Sequence, residues 1–398
     1  MIADRRPETG DGRPETGDRG PQTPDPIGFV EFVELFGLKP NPFERLRAVS
    51  PSNREPNKPH KPNKREEGLE TGEPIAHGSL PNTEHPTPNT RHPILRYDMI
   101  LVAGATGRVG SLVVGLLRQQ GRAVRALCRS EVKAKPLREA GVETTLGDLT
   151  DRRALVAACE GVCTIFSAVT SLNPRALEQS YRPETVEEQG HRDLLEAARD
   201  AGVDQIIYLS AIGVDHPAAP RQFRVKRRVE EVVQLCGIPY TILRPSGFME
   251  NLLTVLPPIR RFGVAPLPGK GTTPITYIAV EDVARAAVLA IGHPEAKGAT
   301  IEFGGPEDLS NRQCVQIVAR VLDRSARICP IPFPVLHLAA GVARPWSPAL
   351  REFFAILHFV DRYGLRAPRR PPFPDKLWAP TSFEAFVRRQ IGRTTADR

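Results

Sequence analysis

Met99-Ile-Leu-Val-Ala-Gly-Ala-Thr-Gly-Arg-Val-Gly110 is the stretch on which the fold turns. An apolar run, Met99 to Ala103, breaks into glycines at 104, 107 and 110, and an amphipathic segment, Ser111 to Gln119, follows at once. Strand, glycine-rich turn and helix in that order predict a phosphate-binding corner. Gly104 permits the tight turn, Gly107 leaves the backbone open to a pyrophosphate, and Gly110 lets the helix pack closely on the strand. Free N–H groups and the dipole at the helix start attract the anion. Thr106, Arg108 and Val109, set between these glycines, are candidate cofactor-binding residues with Gly104, Gly107 and Gly110. Glycines at this spacing say little alone; between a strand and a helix they are specific.

Arg122 to Leu127 reads as a second strand, and Cys128, Arg129 and Ser130 follow it. A site that prefers NAD usually carries Asp or Glu near this point, for the ribose 2′-hydroxyl, whereas an arginine suits a 2′-phosphate. Arg129 and Ser130, with Lys133 close by, therefore favour NADP over NAD. The competing reading is that Arg129 is one surface arginine among the chain's 54 Lys+Arg.

Strands and helices alternate from Met99 onward, the pattern of a parallel sheet covered on both faces. Val142 to Leu146 is a third strand, leading into Gly147-Asp148-Leu149, and Asp151 caps a helix to about Cys159. Cys163 to Ala168 is a fourth strand and Glu184 to Ala201 a long helix. Gln205 to Leu209 is a fifth strand with Ser210 at its end, Gln222 to Leu235 is helical, and Tyr240 to Leu243 is a sixth strand. Ligands in such folds lie beyond the carboxyl ends of the strands. Gly104–Gly110, Arg129, Asp148, Leu149, Ser167, Ala168 and Ser210 all fall on that edge. Asp148 is placed to face an adenine, or equally to cap a helix.

Composition narrows the function classes. The net charge of +8 is spread along 398 residues, with no block of basic residues and no basic helix face interleaved with aromatics, so nucleic-acid binding is not indicated. Cysteines 128, 159, 163, 236, 314 and 329 lie mostly within apolar patterns and read as buried, reduced thiols; the Cys159–Cys163 spacing lacks the further ligands of a zinc site, and no metal is expected. No stretch has the length of a membrane span and the N-terminus lacks a signal pattern, so a cytoplasmic protein is expected. Residues 1–97 hold 16 of the 40 prolines and repeat Arg-Pro-Glu-Thr-Gly-Asp at 6–11 and 13–18. A segment of that composition cannot bury enough apolar surface to offset its ordering entropy, and it reads either as a disordered extension or as upstream sequence read through from a mistaken start.

Gly104-Ala-Thr-Gly-Arg-Val-Gly110, Gly147-Asp-Leu149, Tyr208-Leu-Ser-Ala211 and Gly237-Ile-Pro-Tyr-Thr-Ile-Leu-Arg-Pro-Ser-Gly-Phe-Met-Glu-Asn251 together resemble the atypical short-chain dehydrogenases/reductases, closest to the NmrA-like NAD(P)-binding proteins. Ile275 to Ala284 resembles that family's later strand and the following helix, and the likeness covers roughly residues 99 to 325. It implies a Rossmann doubly wound parallel sheet over 98–325, with parts of a substrate lobe from about residue 247. A small C-terminal helical lobe would follow over 326–398, where Pro345-Trp346, Phe353-Phe354 and Phe359 suggest helices that cover the substrate.

The resemblance also frames catalysis. Reductases of this kind carry a Tyr four residues before a Lys, with a Ser on the preceding strand. Lys226 and Ser210 match, but Gln222 stands in the tyrosine's place, and an amide cannot supply a proton. Lys226 can still bind the nicotinamide ribose, and it can act as the acid itself, as in isoflavone-reductase-like relatives. Beside Arg224, Arg227 and Arg228 it also reads as a solvated lysine on a basic face. His191 reads as a structural histidine or one turned into the cleft. Two functions follow: an NADPH-dependent reductase of a small apolar carbonyl or enone substrate, or a non-catalytic NADP(H) sensor, regulator or assembly factor acting through a protein partner. A sugar-nucleotide epimerase is disfavoured by the missing tyrosine.

Overall fold

The computed structural model describes residues 98–171, 182–342, 348–368, 372–373 and 378–396. The expected disordered extension, 1–97, lies outside the described residues, as does the Pro345-Trp346 pair. A seven-stranded sheet in the order β3-β2-β1-β4-β5-β6-β9 forms the centre. It is built from β1 (Met99–Ala103), β2 (Val124–Cys128), β3 (Glu143–Leu146), β4 (Val162–Ser167), β5 (Gln205–Leu209), β6 (Tyr240–Pro245) and β9 (Ala299–Phe303). Every pairing is parallel. The order reverses between β1 and β4, which is where a doubly wound sheet opens a crevice beyond its strand ends.

Alternation along each strand divides the core in two. Ile100 and Val102 of β1 face α1 (Arg108–Gln119), whose Val109, Val113 and Leu117 meet them, and α7 (Val280–Ala290) packs on the same side. Leu101 and Ala103 face the other way, towards α3 (Arg152–Cys159), α4 (Gly190–Asp200) and α5 (Arg221–Leu235). The predicted strands lie within two residues of those observed. The long helix expected from Glu184 does not run evenly: Glu184–Gln189 forms a π turn that feeds into α4. A helix α2 (Glu131–Glu139) follows β2.

A smaller lobe rises over the strand ends. Its pieces are a 3₁₀ segment (Met249–Val255), α6 (Leu256–Phe262), β7 (Val264–Pro268), β8 (Pro274–Ile275), β10 (Leu309–Ser310), α8 (Asn311–Val321), β11 (Arg327–Ile331), α9 (Phe333–Val342), α10 (Pro348–Tyr363) and α11 (Phe383–Ala396). β10 pairs antiparallel with β8, and β11 pairs parallel with β7. One apolar cluster joins Ile212 and Phe223 from the sheet side to Met249, Leu267, Tyr277, Phe359, Phe383 and Phe386. Arg244 of β6 lies buried where the parts meet. It is bidentate to Glu230 at 2.9 and 2.7 Å and reaches Asp215 and Glu302 at 3.0 Å each. The cysteine expectation holds for Cys128, Cys159 and Cys314; Cys163 and Cys236 are half-buried and Cys329, on β11, is exposed. Among the described residues no helix is long and apolar enough to cross a membrane.

Candidate functional site

The turn from β1 into α1 is shaped by what its glycines exclude. Gly104 has φ +86°, and a Cβ there would stand 3.1 Å from the Ala168 carbonyl carbon at the end of β4. A Cβ on Gly110 would stand 2.1 Å from the Gly104 carbonyl oxygen, so any side chain would push α1 off the strand. Gly107 is the extended N-cap of α1, no side chain caps that end, and its first turn holds no acidic residue. Uncapped N–H groups and an unopposed dipole make this helix start suited to an anion. Thr106, Gly107 and Arg108 are exposed, and Arg108 Nη1 donates to Asn251 Oδ1 at 3.0 Å, linking the turn to the lobe. Val109 points into the core, so only its backbone faces this side.

Arg129 follows β2, exposed, with Nε 3.9 Å from Asp148 Oδ2 beyond the neighbouring β3. Asp148 also accepts from the Thr150 N–H and hydroxyl at 3.1 and 3.2 Å within the turn; the helix-capping role that was one of its two expected roles falls to Asp151 instead. Ser130 is the N-cap of α2, and its hydroxyl makes no capping bond. Leu149 is buried, and its backbone lies so close to α4 that a Cβ on Gly190 would meet Leu149 Cβ at 2.7 Å. Asp151 caps α3 as expected, accepting from Arg153 and Ala154 N–H.

Beneath the edge of β4 and β5 lies a buried polar cluster. Lys226 is not the solvated lysine of a basic face. Its side chain is 12% exposed, with Nζ 3.5 Å from Glu187 Oε2, 3.5 Å from the Leu209 carbonyl oxygen and 5.5 Å from the centre of the Tyr208 ring. Glu187 is fully buried in the π turn. Its Oε1 accepts from Ser171 N–H at 2.5 Å, Ser171 Oγ at 2.8 Å, Thr170 Oγ1 at 3.1 Å and Gln222 Nε2. Burial pushes the Glu187 carboxyl up, but the Lys226 ammonium and the hydrogen bonds from Ser171 and Gln222 outweigh it and hold the group below its usual value. Ser210, beyond β5, is buried, and among the described residues its Oγ has no hydrogen-bond partner. Tyr208 does not replace the missing tyrosine: it is fully buried, and burial, with Glu187 and Glu230 nearby, raises its phenol well above the ordinary value.

His191 belongs to the same cluster and is structural in its contacts. Nδ1 lies 2.6 Å from the Glu187 carbonyl oxygen, which can only accept, so Nδ1 carries the proton and Nε2 accepts from Ser167 Oγ at 2.8 Å. The Ser167 hydroxyl is thereby engaged below the edge. Burial pushes the His191 pKa down to about 4, against the raising effect of Glu187. A base whose folded pKa lies below its unfolded value contributes stability above pH about 6.5 and loses it as pH falls towards 4. At pH 5 the loss should be about 2 kcal/mol. Urea melts between pH 5 and 8 check this: His191→Gln should flatten the slope over pH 5–6.5, and an unchanged slope would assign it to other groups.

Glu187, Thr170 and Ser171 escaped the sequence reading, although Glu187 left a trace. Positions 187, 191, 194 and 198 share one helical stripe, and a carboxylate in line with His191, Leu194 and Ala198 must be buried with partners. A surface groove between α4 and α5, lined by Arg192, Leu195, Arg228 and Val232, holds none of the candidate residues.

Known proteins share this architecture. An NAD(P)H azoreductase of Xenophilus azovorans is 32% identical over 263 residues, covering 65% of this chain and 87% of that protein. The photosystem II assembly factor Ycf39 of Trieres chinensis is 26% identical over 245 residues, covering 61% of this chain and 75% of the factor. The crystal structure of an NADPH-dependent quinone oxidoreductase from Escherichia coli, complexed with NADPH, superposes with a TM-score of 0.63 at 23% identity, over 74% of this chain and 100% of that one. Residues 96–387 match the NmrA-like family, and with that span the chain belongs to it.

Proposed function

We propose that the protein binds NADP(H) along the carboxyl edge of its sheet and reduces a small, apolar carbonyl, enone or quinone substrate beneath the lobe. One observation carries this reading: the mostly covered side chain of Lys226 on α5 reaches the end of β5, on the same strand-end edge as an uncapped glycine-built helix start. The residues fit the cofactor. Gly104, Gly107 and Gly110 leave room for a pyrophosphate at α1, with Thr106, Arg108 and the Val109 backbone around it. Arg129 and Ser130 suit a 2′-phosphate, and Glu131, the nearby carboxylate, is taken up by Arg138. Asp148, Leu149, Ser167 and Ala168 contribute the strand-end wall, their backbones more than their side chains. The azoreductase relative supports the reductase class.

When bound, the cofactor supplies a hydride. The chain's own task is to give a proton to the oxygen that gains charge. Gln222 cannot, so Lys226, an ammonium with three donors, is the general acid, and the unengaged Ser210 hydroxyl hydrogen-bonds the developing oxyanion. A second reading, an NADP(H) binder without turnover that acts through a protein partner, is favoured by Gln222 itself and by the likeness to an assembly factor. Incubation with NADPH and a panel of quinones, enones, aldehydes and azo compounds decides between them. The reductase reading expects loss of reduced-nicotinamide absorbance with at least one class. NADPH binding without turnover across the panel would establish the binder.

A further inference from the structure

The Glu187–Lys226 pair is an unexpected arrangement for stability alone. A buried ion pair barely repays its desolvation, and two apolar residues of similar volume serve a core as well or better. This one also needs a π turn to deliver the carboxylate, a local irregularity common at functional sites. The two oxygens of Glu187 are used differently. Oε1 is saturated by donors from Thr170, Ser171 and Gln222, which fix the carboxylate in place. Among the described residues Oε2 accepts no hydrogen bond, and it is faced by Lys226 at 3.5 Å. The Leu209 carbonyl is equally distant, so the ammonium is held by charge from two sides at the outer limit of hydrogen bonding. An ammonium has three N–H groups, and donation to Leu209 takes up only one of them. Gln222 has a function here too. Its side chain donates to Glu187, and its backbone N–H donates to Glu352 of α10 at 2.9 Å, so the residue in the tyrosine's place is part of the lysine's mounting.

We infer that Glu187 is the positioning residue for Lys226: its fixed carboxylate holds the ammonium at the end of β5 with N–H groups left for the substrate oxygen. This rests on the reductase reading, but its first test does not require turnover. Brief acetic anhydride labelling of the full chain, followed by peptide mass spectrometry, reports the reactivity of Lys226 against exposed Lys297 as internal standard. Glu187→Gln keeps the shape and removes the charge. It should raise Lys226 labelling several-fold relative to Lys297, because an amine released from its fixed counter-ion leaves its cleft and meets the reagent more readily. Glu187→Asp keeps the charge on a shorter stem and serves if the glutamine variant does not fold; it should give a smaller rise. With a substrate that the unmodified protein reduces, Glu187→Gln should lower kcat about tenfold or more while KM and NADPH affinity stay within about twofold. A core role alone would instead lower the melting temperature and leave kcat of the folded fraction unchanged. Unchanged Lys226 labelling in the folded variants, or a kcat equal to that of the unmodified protein, overturns the assignment. Absence of any substrate defeats the reductase reading and leaves the labelling result to judge the pair.

Discussion

Lys226→Met is expected to lower kcat by about 10²-fold or more, the effect of a lost general acid. NADPH affinity should fall far less, because the α1 turn and Arg129 are untouched. The substitution has a second cost that the geometry makes explicit. Methionine matches the stem of lysine but leaves Glu187 fully buried without its counter-ion, and breaking a buried pair in this way costs about 3–5 kcal/mol. Turnover must therefore be normalised to folded protein. The double variant Lys226→Met/Glu187→Gln removes both charges, and chemical denaturation should show most of the lost stability restored while kcat stays low. That split separates the proton from the packing. Turnover that survives in folded Lys226→Met would defeat the mechanism and leave the fold as described.

The second large effect concerns cofactor choice. A charge-assisted contact from Arg129 to a 2′-phosphate is worth about 1.5–3 kcal/mol, so NADPH should bind about tenfold tighter than NADH, or more. Arg129 is not idle without a nucleotide, since Asp148 lies 3.9 Å from its Nε. An exposed pair at that separation is worth about 0–1 kcal/mol, so a phosphate displaces the aspartate readily. Arg129→Ala should remove most of the gap, chiefly by weakening NADPH, as followed by fluorescence titration with both nucleotides. Equal affinities in the unmodified protein would show that Arg129 plays no part in selection.

The turn from β1 into α1 was legible because Gly104 and Gly110 answer backbone demands that no other residue meets. The Gly104 φ of +86° and the 2.1 Å approach at Gly110 are the physical content of that spacing. Strand positions followed from short, nearly continuous apolar runs, as buried parallel strands require, and their ends were misplaced by a residue or two because capping and pairing set them. Val109 and Leu149 show where motif reading is blunt: it names positions on an edge, whereas their side chains point into the core and only backbone faces the crevice. The lobe was less legible because β8 and β10 are two residues each, too short to leave a pattern. The carboxylate partner of Lys226 was hidden for a different reason. It lies thirty-nine positions earlier in the chain, in a turn whose i+5 geometry has no sequence signature, and only the folded structure brings the two together.

The sheet order has a consequence in time. β1, β2 and β3 join through local crossovers, as do β4, β5 and β6, and contacts between near neighbours in sequence form quickly. Two pairings are not local: β4 passes β3 and β2 to lie beside β1, Thr164 against Ile100, and β9 returns to β6. Thr241 of β6 pairs with Ala299 of β9, and the chain from Ser246 to Gly298 must leave the sheet and return before that register can close. Parallel pairing across such an excursion is slow, since closure entropy is spent before any contact repays it. Arg244 marks the moment of completion. Glu230 reaches it from the preceding helix, but Glu302 arrives only on the last strand. A refolding chain thus has two long closures to make, one that seats the glycine turn of β1 against the end of β4 and one that adds β9 and completes the Arg244 cluster.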